Sequence, residues 1–423
     1  MIGCLIAAGV LVVSALGALL AGRRGRAASA IAAFGAVAAA ICALPGAIAA
    51  LAGARPDELV IQWAAPIGEL RFGLDAMSAF FIVPLAVLGA ICGIYGAFYL
   101  DDQRARRWIA VPACFYNLLV AAMLLVLLSR DAVGLLIAWE LMTLTSYVLV
   151  VFDHAQPEVR RAGWIYLVAA HLGLSCLIVA FVLLGERGFA FADILAHPPT
   201  GATAVVAAVF GLVGFGVKAG IVPLHVWLPE AHAAAPSHVS ALMSGVMIKL
   251  GIYGILRTIE LVGPALPWGP VLVVLGVVGA LVGISLALYQ RDLKRALAYS
   301  SVENIGIVLV GLGVGLWALS TGQLAIAALG LCGGLFHIWN HAVMKGLMFL
   351  GAGSVVHGTG TRDLAQLGGV AKRMPRTAAL EILGSIAIAA LPPLSGFASE
   401  WLIYLGLVHG GTEAGAGSGL LLL

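Results

Sequence analysis

Residues 214–257 read GFGVKAGIVPLHVWLPEAHAAAPSHVSALMSGVMIKLGIYGILR. Two apolar runs flank a segment punctuated by Pro223, Pro229 and Pro236, and each run holds one lysine far from its ends, Lys218 and Lys249. Proline removes a backbone hydrogen bond, and a helix break inside a membrane is tolerated only where protein groups or water re-satisfy the freed carbonyls. The stretch predicts a membrane helix broken at a water-accessible cavity, with ionisable groups at bilayer depth. His225, His232 and His238 lie in the same broken segment, and His225 and His232 are candidate relay groups.

The rest of the chain has the same character. Its 423 residues are 62% hydrophobic and 10% charged. Soluble domains carry roughly 25% charged residues, so a water-soluble protein is excluded. Apolar runs place twelve helices at about 2–21, 28–53, 77–100, 108–128, 132–152, 163–184, 202–228, 237–259, 268–289, 295–316, 321–352 and 377–409, leaving no room for a separate soluble domain. The fold class is an all-α, polytopic integral membrane protein. Cys4, Cys42, Cys92, Cys114, Cys176 and Cys332 are scattered singly, which argues against a thiolate-bound cluster or a disulfide framework.

No Lys or Arg precedes the first run, while Arg23, Arg24 and Arg26 follow it, the reverse of signal-peptide order. The run is expected to be retained with its N-terminus outside. Fifteen of the 23 Lys and Arg fall in alternate loops assigned to the inside: Arg23, Arg24, Arg26, Arg104, Arg106, Arg107, Arg160, Arg161, Arg291, Lys294, Arg295, Arg362, Lys372, Arg373 and Arg376. Five lie outside, Arg55, Arg71, Arg130, Arg187 and Arg257, a bias that fixes orientation. The other three, Lys218, Lys249 and Lys345, lie within spans.

An ionisable group at the bilayer centre costs between about 2.5 and more than 10 kcal/mol and marks a functional site. Glu140 stands in the fifth span, Lys218 in the seventh, Lys249 in the eighth, His337, His341 and Lys345 in the eleventh, and Glu400 in the twelfth. The i, i+4, i+8 spacing of the eleventh-span trio puts them on one face over roughly 12 Å, a stripe suited to proton hopping. Alone, Glu140 with Lys218 also reads as a static lock between helices, and each histidine as an interhelical hydrogen-bond partner. Three lysines, two carboxylates and a histidine pair at similar depth exceed what packing needs.

No metal site is expected, because Ile338 stands where the zinc-protease pattern needs Glu directly after the first His. Leu391-Pro392-Pro393-Leu394 repeats the helix-breaking device immediately before Glu400. Two broken helices, each beside an intramembrane charge, point to an inverted-repeat transporter. Glu303, in YSSVENIG, reads equally as a deep charge or as an interfacial residue or helix cap assisted by Asn304. Residues 58–75 alternate around Ala-Ala-Pro-Ile-Gly, which fits a surface hairpin; an irregular loop fits nearly as well.

The residues that carry these charges also carry a family likeness. WELMTLTSYVLV (139–150), the 214–257 stretch, FHIWNHAVMKGLMFLGAGSV (336–355) and DLAQLGGVAKRMP (363–375) resemble the antiporter-like proton-channel subunits shared by respiratory Complex I, Mrp antiporters and membrane-bound hydrogenases. SVENIG and LPPLSGFASEWLIY look most like the large membrane subunit of formate hydrogenlyase and hydrogenase-4 complexes. The likeness runs from about residue 75 to 405. It implies that Glu140 modulates the proton affinity of Lys218, that Lys249 relays protons centrally, and that His337, His341, Lys345 and Glu400 continue the path. It also implies inverted five-helix repeats: 1–107 for three N-terminal helices, 108–260 for spans four to eight, and 261–423 for spans nine to twelve. Because the family has fourteen or more spans and this sequence stops at Leu423, the second repeat is expected to be incomplete, the chain being a fragment or completed by a neighbouring subunit.

The resulting expectation is a proton-translocating subunit of a redox-driven complex in a bacterial or archaeal cytoplasmic membrane. It would hold no cofactor, with iron–sulfur clusters and a NiFe or quinone site in partner subunits. Its neighbours would be other antiporter-like and small membrane subunits, lipid, and peripheral redox subunits on the cytoplasmic side, with no nucleic acid. Lys249, His341, His337, Lys345 and Glu400 should line one hydrated path, with His225 bridging from Lys218. A cation/proton antiporter subunit is the alternative, and a purely structural anchor the third reading.

Overall fold

The computed structural model describes residues 1–54, 58–63, 68–100 and 108–413. Arg55, Arg104, Arg106 and Arg107 of the charge count, the hairpin turn at 64–67 and the terminal stretch 414–423 lie outside the described residues. In chain order the elements are α1 (Ile2–Leu20), α2 (Gly25–Leu51), β1 (Glu58–Gln62), β2 (Glu69–Gly73), α3 (Ala76–Tyr99), α4 (Ala110–Leu128), α5 (Ala132–Val150), α6 (Pro157–Leu184), α7 (Phe191–Ala196), α8 (Gly201–Ala219), α9 (Trp227–Ala234) and α10 (Ser237–Leu242). A π-helical turn, Met243–Met247, leads into α11 (Ile248–Val262), followed by α12 (Trp268–Leu288), α13 (Leu293–Ser320), α14 (Leu324–Thr359), α15 (Val370–Arg373), α16 (Pro375–Ile388) and α17 (Ser395–Glu413). Among the described residues, eleven helical stretches are long and apolar enough to cross a membrane, Ser237–Val262 counting as one. Helices pair their backbone groups within the segment, which hydrocarbon requires, although Pro45 in α2 and Pro84 in α3 each remove one such bond.

Two of the twelve expected spans are not single helices. The seventh, expected over 202–228, ends as a helix at Ala219; a turn with Gly220 at φ +77° and Pro223 precedes α9. The twelfth, expected over 377–409, is α16 and α17 separated by the Leu391–Leu394 break. In both places proline stops the regular hydrogen-bond ladder, as the sequence pattern implied. Aspartates start three of the helices: Asp75 accepts from the Ser78 N–H (2.8 Å), Asp131 from Gly134 (2.6 Å), and Asp292 from Lys294 and Arg295 (2.9 and 3.0 Å). Each satisfies N–H groups that a helix start leaves open.

The hairpin is present. β1 pairs antiparallel with β2, setting Leu59 opposite Phe72 and Ile61 opposite Leu70. The Arg71 N–H donates to Asp131 (2.8 Å) and the Arg130 N–H to the Arg71 carbonyl (2.8 Å), so β2 is fastened to the α4–α5 turn.

The chain forms two compact units, Met1–Lys218 with Glu230–Gly263, and Ala219–Pro229 with Pro264–Leu423. In the first, α1, α2 and α4 meet through small side chains, with Ala18, Ala28, Ala32, Ala110 and Ala113 in one cluster. In the second, Val273, Val310, Val314, Ile326 and Ile403 join α12, α13, α14 and α17. Here α12 and α13 touch at backbone distance: a Cβ on Gly306 would stand 2.5 Å from the Gly276 carbonyl oxygen and 2.5 Å from the Ala280 nitrogen. Lipid tails are as apolar as leucine, so close van der Waals fit at small residues holds such helix pairs together.

Candidate functional site

In the first unit the site is built on α5, α6 and α8. Lys218, in the last turn of α8, is 2% exposed. Its ammonium donates to Thr143 Oγ1 (3.0 Å) on α5 and to Tyr166 Oη (3.1 Å) on α6. The Tyr166 and Trp139 rings lie 5.0 and 5.9 Å from it, within cation–π range. Tyr166 Oη is also 2.6 Å from Ser146 Oγ. Thr143 donates its own proton to the Trp139 carbonyl (3.1 Å), so toward Lys218 it is an acceptor. Tyr166 and Ser146 both donate and accept, giving Lys218 a short hydroxyl chain along which a proton can move.

Glu140 lies on α5 one turn before Thr143, but its carboxylate reaches toward α6. Glu140 Oε1 stands 3.2 Å from His171 Nε2, while Oε2 is buried with no hydrogen-bond partner among the described residues. His171 Nδ1 is 2.8 Å from the Leu167 carbonyl. Lys249, also 2% exposed, follows the π-helical turn and donates to the Ser244 carbonyl five residues earlier. The π-turn shifts the helix register, a feature found disproportionately at functional positions, and it puts a carbonyl within the lysine's reach. His232 is fully buried, and its carbonyl accepts from Ser240 Oγ (2.9 Å). His238 packs against Tyr99 and Tyr116 and fills the notch left by Gly96.

One end of the same unit carries an ion cluster on residues that sequence reading had placed at outer helix ends. Asp75 pairs with Arg130 (3.0 Å) and with Arg257, whose side chain is 4% exposed and also meets Glu260. Burial pushes the Asp75 carboxyl up, but the Arg257 and Arg130 guanidiniums and the Ser78 N–H outweigh it and hold the group below its ordinary value.

In the second unit the site spans α13, α14 and α17. His337, His341 and Lys345 share one face of α14 as the spacing implied, with the imidazole rings stacked at 6.3 Å, and all three are fully buried. The Lys345 ammonium donates to the Leu297 carbonyl of α13 (2.8 Å). His337 is held from both sides, Nε2 on Asn304 Oδ1 (3.1 Å) and Nδ1 on Ser399 Oγ (2.9 Å). Asn304 donates its amide to the Ser300 carbonyl (2.8 Å), so its oxygen faces the ring and Nε2 carries a proton. Ser399 can donate to Nδ1, or turn its proton to the Gly396 carbonyl (3.0 Å) and accept one from Nδ1. His337 is therefore satisfied both as imidazole and as imidazolium. Asn340 steadies Ser399 (3.0 Å) and the Ser395 carbonyl (2.7 Å) at the α17 start.

Glu303 is inside α13, whose cap is Asp292, so the cap reading of Glu303 is overturned. It lies within Coulombic reach of both Lys345 and Glu400, the latter on the second turn of α17. His225, in the turn before α9, sits edge-on to Tyr299 at 6.2 Å. Peptide bonds Val222–Pro223 and Pro392–Pro393 are both cis. Sequence reading missed His171, Tyr166, Ser399, Asn304 and Asn340. His171 could have been found by the rule that selected Glu140, since it is a titratable group near the middle of a 28-residue helix. The hydroxyls and amides carry no such signal, because in a membrane helix they usually bond their own backbone.

Residues 129–420 match the family described as NADH:quinone oxidoreductase/Mrp antiporter, TM. The chain belongs to that family. It is 40% identical over 359 residues to hydrogenase-4 component B of Escherichia coli, covering 82% of this chain and 53% of that one. To NADH-quinone oxidoreductase subunit N of Desulforudis audaxviator it is 32% identical, covering 83% and 69%. Its backbone superposes on a chain of the Mrp complex from Dietzia sp. with a TM-score of 0.83 at 29% identity, over 100% of this chain and 44% of that one. The chain spans about half the length of hydrogenase-4 component B. It is a multi-pass membrane protein of the antiporter-like class.

Proposed function

We propose that this chain translocates protons as a membrane subunit of a redox-driven complex of the hydrogenase or quinone-oxidoreductase type. The observation that carries the reading is Lys218: a buried ammonium held by a Tyr166–Ser146 hydroxyl chain and by Thr143, which lies one helical turn along α5 from Glu140. Burial disfavours an ammonium and a nearby carboxylate favours it. A carboxylate brought to about 4 Å from an ammonium attracts it by about 4 kcal/mol at an effective dielectric of about 20, so movement of the Glu140 carboxylate is the proposed control on the lysine. The second unit supplies groups of the same chemistry in His337, His341, Lys345, Glu303 and Glu400. Lys249, buried beside the π-helical turn, is the proposed central relay.

The driving event comes from partners. This chain would hold no cofactor, while iron–sulfur clusters and a NiFe or quinone site would reside in peripheral subunits on the cytoplasmic side, and other antiporter-like subunits would flank it in the cytoplasmic membrane with its N-terminus outside. Displacing one buried charge changes the field at the next, and the helix breaks at Pro223 and Pro392 are the elements proposed to hold two arrangements. The likeness to the Dietzia Mrp complex chain supports a second reading, a cation/proton antiporter subunit. Purification in mild detergent separates the two: iron–sulfur and hydrogenase-like or quinone-reducing partners fit the first, and gradient-driven exchange without an electron donor fits the second.

A further inference from the structure

The contact between Glu140 and His171 requires a proton. His171 Nδ1 faces the Leu167 carbonyl at 2.8 Å, an acceptor with no proton of its own, so Nδ1 carries a proton and donates it. A neutral imidazole has only one N–H. Its Nε2 would then turn a lone pair toward Glu140 Oε1 at 3.2 Å, two acceptors in repulsion. The contact is attractive only with a proton between them, as imidazolium with carboxylate or as imidazole with carboxylic acid. In either form the pair holds one transferable proton and no net charge, which is how such a pair can sit in an apolar environment.

Two further features give that proton a destination. Glu140 Oε2 is buried and unpartnered among the described residues, a state that a carboxyl group leaves when a second donor comes within reach. Thr143, which accepts from Lys218, is three residues along α5 from Glu140, and residues so spaced are neighbours on a helix face. Turning along that face moves the Glu140 carboxyl toward Thr143, which holds the lysine.

We infer that His171 is the loading partner of Glu140, and that the Glu140 carboxyl ferries a proton from the His171 imidazolium to Lys218. In the first step the Nε2–H bond breaks and an O–H bond forms on Glu140. In the second the O–H bond breaks and an N–H bond forms on the Lys218 amine, leaving carboxylate and ammonium paired. An N–H bond of the ammonium then breaks as Tyr166 takes that proton and passes its own to Ser146, whose hydroxyl proton is given up to water beyond the chain, and the carboxylate returns to a reprotonated His171. The His171 side chain is 48% exposed on α6, so it is the member of the trio that can be recharged from outside the unit. This assignment rests on the proton-translocation reading.

The test uses the intact complex in proteoliposomes, with His171→Leu, His171→Gln and Glu140→Gln made in this chain. Protons moved per turnover and the carboxylic-acid infrared band that disappears in Glu140→Gln are followed together. Both histidine variants should lower translocation by about a hundredfold, the scale of a lost proton-transfer group, with unchanged subunit content, and His171→Leu should lose the band. Wild-type translocation in His171→Gln, which keeps a donor to the carboxylate but cannot share a proton, would overturn the assignment. So would an intact band and normal pumping in His171→Leu while Glu140→Gln is inactive. Normal pumping in Glu140→Gln would overturn the translocation reading at this site and the His171 role with it.

Discussion

Lys218 and Lys345 are both buried ammonium groups, yet they are held by different chemistry. Lys218 rests on two hydroxyls, one of which bonds a third. Lys345 rests on the Leu297 backbone carbonyl. A hydroxyl accepts a proton on one side and releases one on the other, whereas a carbonyl only accepts. The first arrangement can pass a proton onward through its own ligands. The second holds the charge in place, and under the proposed function transfer in that unit falls to the imidazoles of α14, where His337 meets a rotatable hydroxyl at Ser399. Burial alone makes both lysines candidates; the ligands separate the proposed conductor from the proposed holder.

Substitutions at the ligands probe this difference with the largest effect. Tyr166→Phe removes the hydroxyl that joins Lys218 to Ser146 and should cut proton translocation by about a hundredfold. Leu297→Ala leaves the backbone carbonyl on Lys345 and should leave pumping near wild type. Equal losses from the two changes, measured with a pH-sensitive dye in proteoliposomes, would erase the distinction. Ser399→Ala removes the hydroxyl that lets His337 exchange protonation states, and about a tenfold slowing is expected, equivalent to about 1.4 kcal/mol in barrier. Ser399→Thr keeps the hydroxyl and should restore most of the rate.

The next effect concerns packing. Gly306→Val forces a branched side chain against the α12 backbone at Gly276 and Ala280 and should destabilise the second unit by about 1–3 kcal/mol. The thermal midpoint in detergent, measured beside wild type, should fall accordingly.

The smallest effect is at the Asp75 cluster. Because the Asp75 carboxyl is held below its ordinary value of 3.8, its contribution to stability is fully present above about pH 4–5 and fades as pH falls further through the folded-state value. Asp75→Asn should therefore be less stable than wild type at pH 7, and the gap should narrow as pH falls below about 4. No gap at any pH would mean that Asp75 acts through its helix-capping hydrogen bond alone, which asparagine also makes.

Eleven spans were readable because hydrocarbon forces helices to be long, apolar and internally hydrogen-bonded. The breaks at Pro223 and Pro392 were readable because proline leaves a chemical mark, although the helix ends at Ala219 and Ile388 were not placed by it. Lys218, Lys249, Lys345 and the α14 histidines stood out by charge. Their partners did not, because Thr143, Tyr166, Asn304 and Ser399 lie on helices far apart in sequence and are ordinary residues until a fold brings them to a charge. The side chain chosen by Glu140 was equally hidden, since sequence offers Lys218 as its partner and the fold also offers His171.

The central claim is that a movable carboxylate at position 140 governs proton loading of Lys218. Its most direct measurement is the number of protons translocated per electron pair by the complex carrying Glu140→Gln, reconstituted beside wild type with equal subunit content. Translocation reduced by about a hundredfold or more is the predicted result. The wild-type stoichiometry would contradict it.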